Sequence, residues 1–274
     1  MTIKIGTLLM ACLLALAACA GLTIYDPVPG QPDGLGNGEE EPVYQMDPLL
    51  SERQFRTQDG KKELARYSYR LCALSVSNMD VLSGEAAVEA ARNVETFNAR
   101  MTLLMEGYVE FGEAMGADAA EVVGAAAYYD EVCAEGFRAG EYISIRLDSV
   151  GYTGGAHPNR YASSCLFDLR AGQFVDPAQI AEDPEAFRAG AAALLLEKAE
   201  LCGDREQFWE DYADVITRWN EGTVVFDGEG MHVVYSPYEL GPYAIGEVEL
   251  VLTYEELAPL AGESAMERLG RTAE

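Results

Sequence analysis

Apolar positions recur along this chain in two rhythms. Residues Leu64 to Val76 ("LARYSYRLCALSV") mix β-branched and aromatic side chains with partial alternation, which predicts a strand. From Ser83, a residue suited to an N-cap, the period lengthens. Phe97, Met101, Leu104, Met105, Tyr108, Phe111 and Met115 then fall on one face of a helix running to about Met115. A methionine and aromatic stripe of this kind reads as core packing, not as a cofactor box. Gly107 and Gly112 predict a local weakness or bend.

Alternation returns over Tyr128–Phe137 and Glu141–Val150, two strands joined at Ala139-Gly140, and again over Arg160–Leu169. Two helices are expected next. Asp183 caps the first, with Pro184 at its first position and Phe187, Ala191, Leu194 and Leu195 inward. The second is expected from Asp204, with Phe208, Tyr212, Val215, Ile216 and Trp219 on one stripe. Thr223–Phe226 and Met231–Tyr235 form a hairpin around "DGEG". Glu247–Thr253 alternates charged and apolar residues, and Thr253 with Glu256 spells a capping box for a last short helix. Clustered strands between helices, without a repeating βαβ unit, predict an α+β fold: an antiparallel or mixed sheet with several helices packed on one face.

The N-terminal apolar run, Ile5 to Ala18, is too short for a permanent membrane span and reads as the core of a secretory signal. It ends in Leu16-Ala17-Ala18-Cys19, which resembles the bacterial lipobox, so Cys19 is the expected lipidation site and membrane anchor. Ala20, in place of Asp, implies the periplasmic side of the outer membrane in a Gram-negative host. Residues 27–48 are dense in Pro, Gly and Glu and read as a flexible tether. The expected organisation is therefore signal 1–18, lipidated cysteine and tether 19–48, and one domain 49–274.

Charge narrows the partners. With 46 acidic and 19 basic residues, the net charge is −27. That excludes nucleic acid and direct adhesion to an anionic bilayer, and it favours cationic partners. Four cysteines remain after the signal and Cys19: Cys72, Cys133, Cys165 and Cys202. In an exported domain they predict two disulfides, with Cys72–Cys133 and Cys165–Cys202 preferred because each pair joins neighbouring elements.

The candidate chemistry lies in "GYTGGAHPNRY", residues 151–161, which holds one of only two histidines. A zinc site needs about three protein ligands, and His232 is the only other histidine, with no paired spacing. No G-x-S-x-G elbow is present. The sequence therefore calls for no metal, cofactor or catalytic residue. Gly154 and Gly155 supply backbone freedom and Pro158 rigidity, so the loop reads as structural or ligand-contacting. "ELGPYAIG", residues 239–246, has the same character. The candidate binding-loop residues are Tyr152, Gly154, Gly155, His157, Asn159, Tyr238 and Tyr243.

"YTGGAHPN" (152–159), "FDLRAG" (167–172), "FNARM" (97–101) and "YSPYELGPYAIGEVELVLTYEEL" (235–257) together resemble an extracytoplasmic domain family. It includes the lysozyme-binding domain of the anti-sigma factor RsiV and domains beside PdaC-type peptidoglycan deacetylases. The likeness spans about Leu64 to Leu260 and implies an RsiV-like α+β domain outside a membrane. Anti-sigma activity is not carried over, since no further transmembrane or sigma-binding segment is read here. Lysozyme binding is compatible with the acidic charge. The leading expectation is a lipid-anchored envelope protein that binds lysozyme or peptidoglycan through these loops. The alternatives are a structural envelope lipoprotein, and a cell-wall hydrolase using His157 with Asp148 or Asp168.

Overall fold

The computed structural model describes residues 40–121 and 127–271. The expected signal, Cys19 and the tether up to residue 39 lie outside the described residues. The first strand, β1 (Tyr44–Arg56), runs antiparallel to β2 (Glu63–Val76), from Tyr44 opposite Val76 to Arg56 opposite Glu63. Residues 44–48, assigned above to the tether, are therefore strand. Met46 is buried while most of its neighbours on β1 are exposed. A strand at the edge of a sheet has few core-facing positions, so it reads as polar when taken alone.

α1 (Gly84–Glu121) carries the chain from β2 to β3 (Tyr128–Ala139), which pairs with β2 in parallel. A parallel pair needs such a long crossover. β4 (Tyr142–Tyr152), β5 (Asn159–Asp168) and the short β6 (Gln173–Val175) then add in antiparallel order, giving a mixed six-stranded sheet β1-β2-β3-β4-β5-β6. α1 buries Phe97, Met101, Met105 and Met115 against Tyr69, Leu71, Val132 and Ile145. It is continuous through Gly107 and Gly112. Gly112 and Gly116 serve close approach: a Cβ on either would collide with the ring of Tyr67 or Phe55. Asn98 fixes the helix by accepting from Leu74 N–H at 2.6 Å and donating to its carbonyl at 3.0 Å.

The second core lies on the opposite face. It contains α2 (Pro184–Glu200), α3 (Tyr212–Thr217), β7 (Thr223–Phe226), β8 (Gly230–Tyr235), β9 (Val248–Thr253), α4 (Tyr254–Ala261) and α5 (Glu263–Arg268). β7-β8-β9 is a separate three-stranded antiparallel sheet. β7 docks on outward-facing serines of the large sheet: Phe226 N–H donates to Ser144 Oγ at 3.0 Å and Val224 N–H to Ser164 Oγ at 2.8 Å. Neighbouring residues on a strand point to opposite faces, and Ile143 and Ile145, flanking Ser144, belong to the α1 core. The protein is α+β, as its patterning predicts. Its helices, however, divide between the two faces of the large sheet.

Two local signals carry through. Asp183 accepts from the N–H groups of Glu185 and Ala186, and Thr253 with Glu256 forms a complete capping box. The helix expected from Asp204 does not form as one piece. Arg205–Gln207 and Trp219–Glu221 are 3-10 turns flanking the six-residue α3. Asp204 makes no capping bond. Phe208 is extended, and the Trp209 N–H donates instead to the Leu240 carbonyl at 2.9 Å.

Among the described residues the expected disulfides do not form: neither Cys72–Cys133 nor Cys165–Cys202 is bridged. Register explains the first pair. Cys133 lies opposite Arg70, so Cys72 is two residues further along β2. Strand spacing and rise put their Cα atoms roughly 8 Å apart, beyond the span of a disulfide. The second pair is divided by the sheet, with Cys165 packed against the α1 core and Cys202 against the other.

Candidate functional site

The loop between β4 and β5 and the loop between β8 and β9 meet at one end of the large sheet. Each is shaped by its backbone. Gly154 and Gly155 have φ of 100° and 114°, values that a side chain rarely tolerates. Tyr238, at φ 77°, is the one non-glycine with positive φ among the described residues. Holding a bulky residue there costs about 1–3 kcal/mol, and the surrounding contacts supply the constraint.

His157 is the hinge of the junction. Its ring lies on Tyr243, with centroids 3.9 Å apart and planes 19° apart. Its Nδ1 is 2.8 Å from the Pro158 carbonyl and its Nε2 3.2 Å from the Tyr238 hydroxyl. One neutral tautomer satisfies both: Nδ1–H donates to Pro158 and Nε2 accepts from Tyr238. The Tyr243 hydroxyl donates to the same Pro158 carbonyl at 3.0 Å. Tyr152 hydroxyl donates to Gly155 O at 3.0 Å and closes the turn from the β4 side. Tyr152 also stacks with Tyr129 at 6.0 Å, and the Arg66 guanidinium lies over Tyr129. The junction thus gathers Tyr152, Gly154, Gly155, His157, Tyr238 and Tyr243. Asn159 opens β5 beside it and is exposed.

Trp209 completes this surface and was not among the residues singled out by pattern. It is 42% exposed and lies 6.5 Å from the Tyr238 ring with planes 26° apart. Tyr238 is 49% exposed. A Trp that falls off the apolar stripe of its own segment is the signal that could have found it. Below it, Glu239 accepts from the Ser236 N–H, and burial pushes its carboxyl above the usual range. Ser236 Oγ accepts from Ala162 N–H at 2.9 Å, tying this loop to β5.

The arrangement offers an aromatic contact surface. Both His157 nitrogens are engaged. Asp148 is held by Arg146 at 2.9 Å, and Asp168 by Arg268 at 2.7 Å. Burial leads the rise of the Asp148 carboxyl above its ordinary value, with Arg146 opposing it. Among the described residues neither carboxylate is hydrogen-bonded to His157. His232 is elsewhere, between Asp227 at 3.0 Å and Glu249 at 3.1 Å. Among the described residues no three His, Cys, Asp or Glu side chains are placed to hold one metal ion, and no helix is long and apolar enough to cross a membrane.

Fold and site together define an α+β domain with two sheets, two cores and an aromatic loop junction. Residues 187–255, from within α2 to the start of α4, match the model of the family described as "Protein of unknown function (DUF3298)". The matched stretch, similar to that family, contains Trp209, Tyr238 and Tyr243 but stops short of the His157 loop. Two solved structures share the fold. A member of the DUF3298 family from Bacteroides fragilis NCTC 9343 is 13% identical, with a TM-score of 0.56, covering 84% of this chain and 97% of its own. A DUF3298 family protein from Pseudomonas aeruginosa PAO1 is 17% identical, with a TM-score of 0.54, covering 82% of this chain and 97% of its own. No curated protein matches the chain.

Proposed function

We propose that this protein is a cell-envelope binding module, anchored through lipid on Cys19, that takes its ligand on the His157–Tyr238–Tyr243 junction. One observation carries the reading. Two loops distant in sequence converge to hold the exposed Tyr238 ring, beside exposed Trp209, in a strained, hydrogen-bonded frame. Backbone strain that is retained is concentrated at functional sites. Aromatic residues are enriched where protein surfaces make contact. A net charge of −27 favours cationic envelope proteins such as lysozyme. The lipobox resemblance favours a periplasmic position facing peptidoglycan.

The test is retention of the full chain on peptidoglycan sacculi and on immobilised lysozyme, compared with His157→Ala. Retention on either, lost in the variant while its fold survives, supports the reading. Retention on neither sinks it.

A further inference from the structure

The sheet face beneath α1 holds a fully buried acid. Asp130 on β3 lies opposite Tyr67 of β2 and Gly151 of β4, at the root of the His157 loop. Side chains two apart on a strand share a face, so Asp130 points with Val132 into the α1 core. Its Oδ2 accepts from the Tyr69 hydroxyl at 2.7 Å, and its Oδ1 has no partner. Among the described residues no cation is bonded to it. The charge that reaches it is a second acid, Glu131, on the opposite face and paired there with Arg66. A buried carboxylate held by one hydroxyl is strongly disfavoured. A neutral carboxyl is not: its proton lies between Oδ2 and the Tyr69 oxygen, and Oδ1 remains as a carbonyl.

The cover over Asp130 is the weaker half of α1. The Tyr69 ring stacks on Tyr67 at 4.8 Å and meets Tyr108 of α1 at 5.5 Å. At Gly112 the helix rests on the Tyr69 hydroxyl: a Cβ there would come within 2.7 Å of its oxygen. The N-terminal half of α1 is pinned by buried amides. Asn93 donates to the Tyr44 hydroxyl and the Leu169 carbonyl, and Asn98 bonds both backbone groups of Leu74. The C-terminal half contains Gly107, Gly112 and Gly116, each a weak helix former. Its last turn carries Asp118 and Glu121 and no basic residue, against the helix dipole. Gly107 is the natural hinge, since nothing packs within 4 Å of the place a Cβ would take.

The titratable groups around Asp130 are Tyr67 and Tyr69 from β2 and Tyr108 and Glu113 from α1; β4 presents Gly151. Glu113 accepts from Arg53 of β1 and from the Tyr67 hydroxyl. The Arg53 bond holds its carboxyl below the usual range, so it stays ionised from pH 5 upward. Burial, by contrast, pushes Asp130 up to about 6.

We propose that Asp130 is a proton-operated latch for the C-terminal half of α1. With the carboxyl protonated, residues 108–121 stay seated on the sheet. With it ionised, the segment lifts about Gly107 and water reaches the carboxylate. The latch goes beyond the binding reading and does not depend on it.

Hydrogen–deuterium exchange of the full chain at pH 5 and 7.5 tests the latch, read as protection factors so that the intrinsic effect of pH cancels. A carboxyl at about 6 when seated and at its ordinary 3.8 when hydrated shifts the opening equilibrium about tenfold between those pH values. Protection over residues 108–121 should fall by that factor at pH 7.5, while protection over 86–105 holds. Asp130→Asn should keep the segment protected at both pH values. Gly107→Ala should raise its protection at both and preserve the ratio. Equal protection of the wild type at both pH values overturns the latch. So does the same fall in Asp130→Asn, or a fall spread evenly over both halves of α1, which would report unfolding of the whole domain. A Gly107→Ala segment that opens as readily as the wild type overturns the hinge.

Discussion

His157 and Tyr243 lie face to face, 3.9 Å between ring centroids, and both direct a hydrogen bond to the Pro158 carbonyl. The pair joins the β4–β5 loop to the β8–β9 loop. It makes the histidine a framing residue, since its second nitrogen is taken by Tyr238. His157→Ala should lower stability by about 0.5–1.5 kcal/mol for the lost ring pair, a fall in Tm of about 2–5 °C for a domain of this size. Calorimetry checks it. An unchanged Tm with lost ligand retention would instead place the ring in direct contact with the ligand.

Tyr238 separates strain from contact. With φ at 77°, Tyr238→Gly should be more stable than Tyr238→Ala by about 1 kcal/mol, because both remove the ring and only glycine relieves the backbone. Equal denaturation midpoints for the two variants would contradict the strain.

His232 gives a dependence on pH. Hydrogen bonds donated by His232 to Asp227 and then to Glu249 raise its imidazole to about 9, with burial opposing them. A raised histidine contributes stability that is fully present below its unfolded value, about 6.5. That contribution disappears as pH rises through about 9. Glu249 is 44% exposed, so screening limits the effect. Wild type should lose about 1–2 kcal/mol between neutral and alkaline pH, while His232→Gln should be flat. On the acid side both carboxylates sit below their usual range. For Asp227, burial is overcome by the His232 bond; for Glu249 that bond leads.

Asp130 works in the opposite sense. Burial pushes its carboxyl up to about 6, although the Tyr69 hydroxyl donates to it at 2.7 Å, and its other oxygen has no partner. A carboxyl whose folded value is raised is penalised when ionised. The penalty grows as pH rises through about 6 and persists above it. Asp130→Asn should therefore stabilise the protein by about 1–3 kcal/mol at pH 7.5. Urea midpoints at pH 5 and 7.5 test the sign: the gain should shrink at the lower pH.

The thiols make a separate prediction. Burial, aided by neighbouring Cys165, pushes Cys72 up to about 12. In the native protein Cys72 should resist iodoacetamide. In denaturant without reductant Cys72, Cys133, Cys165 and Cys202 should all be alkylated. A pair that alkylates only after reduction would contradict the absence of these two bridges.

Much of this was legible from local chemistry. The Asp183 cap, the Thr253–Glu256 box and the β7–β8 hairpin involve residues close in sequence, and their signals survived folding. What failed was long-range. β1 hides its few inward residues among polar ones. The segment after Asp204 has helical spacing, yet the bond from Trp209 to Leu240 outweighs it. The disulfide expectation failed on register and on which face of the sheet each cysteine occupies. The site was half legible: glycine, proline and tyrosine marked both loops, whereas their meeting, and the place of Trp209 in it, depend on tertiary packing.

Hydrogen–deuterium exchange of the full chain, with and without muropeptides or lysozyme, tests the binding surface most directly. The account predicts protection confined to residues 152–159, 207–210 and 238–246 for whichever of these is bound. Protection centred on the exposed face of α1 or the edge of β1, with those loops unchanged, would contradict it.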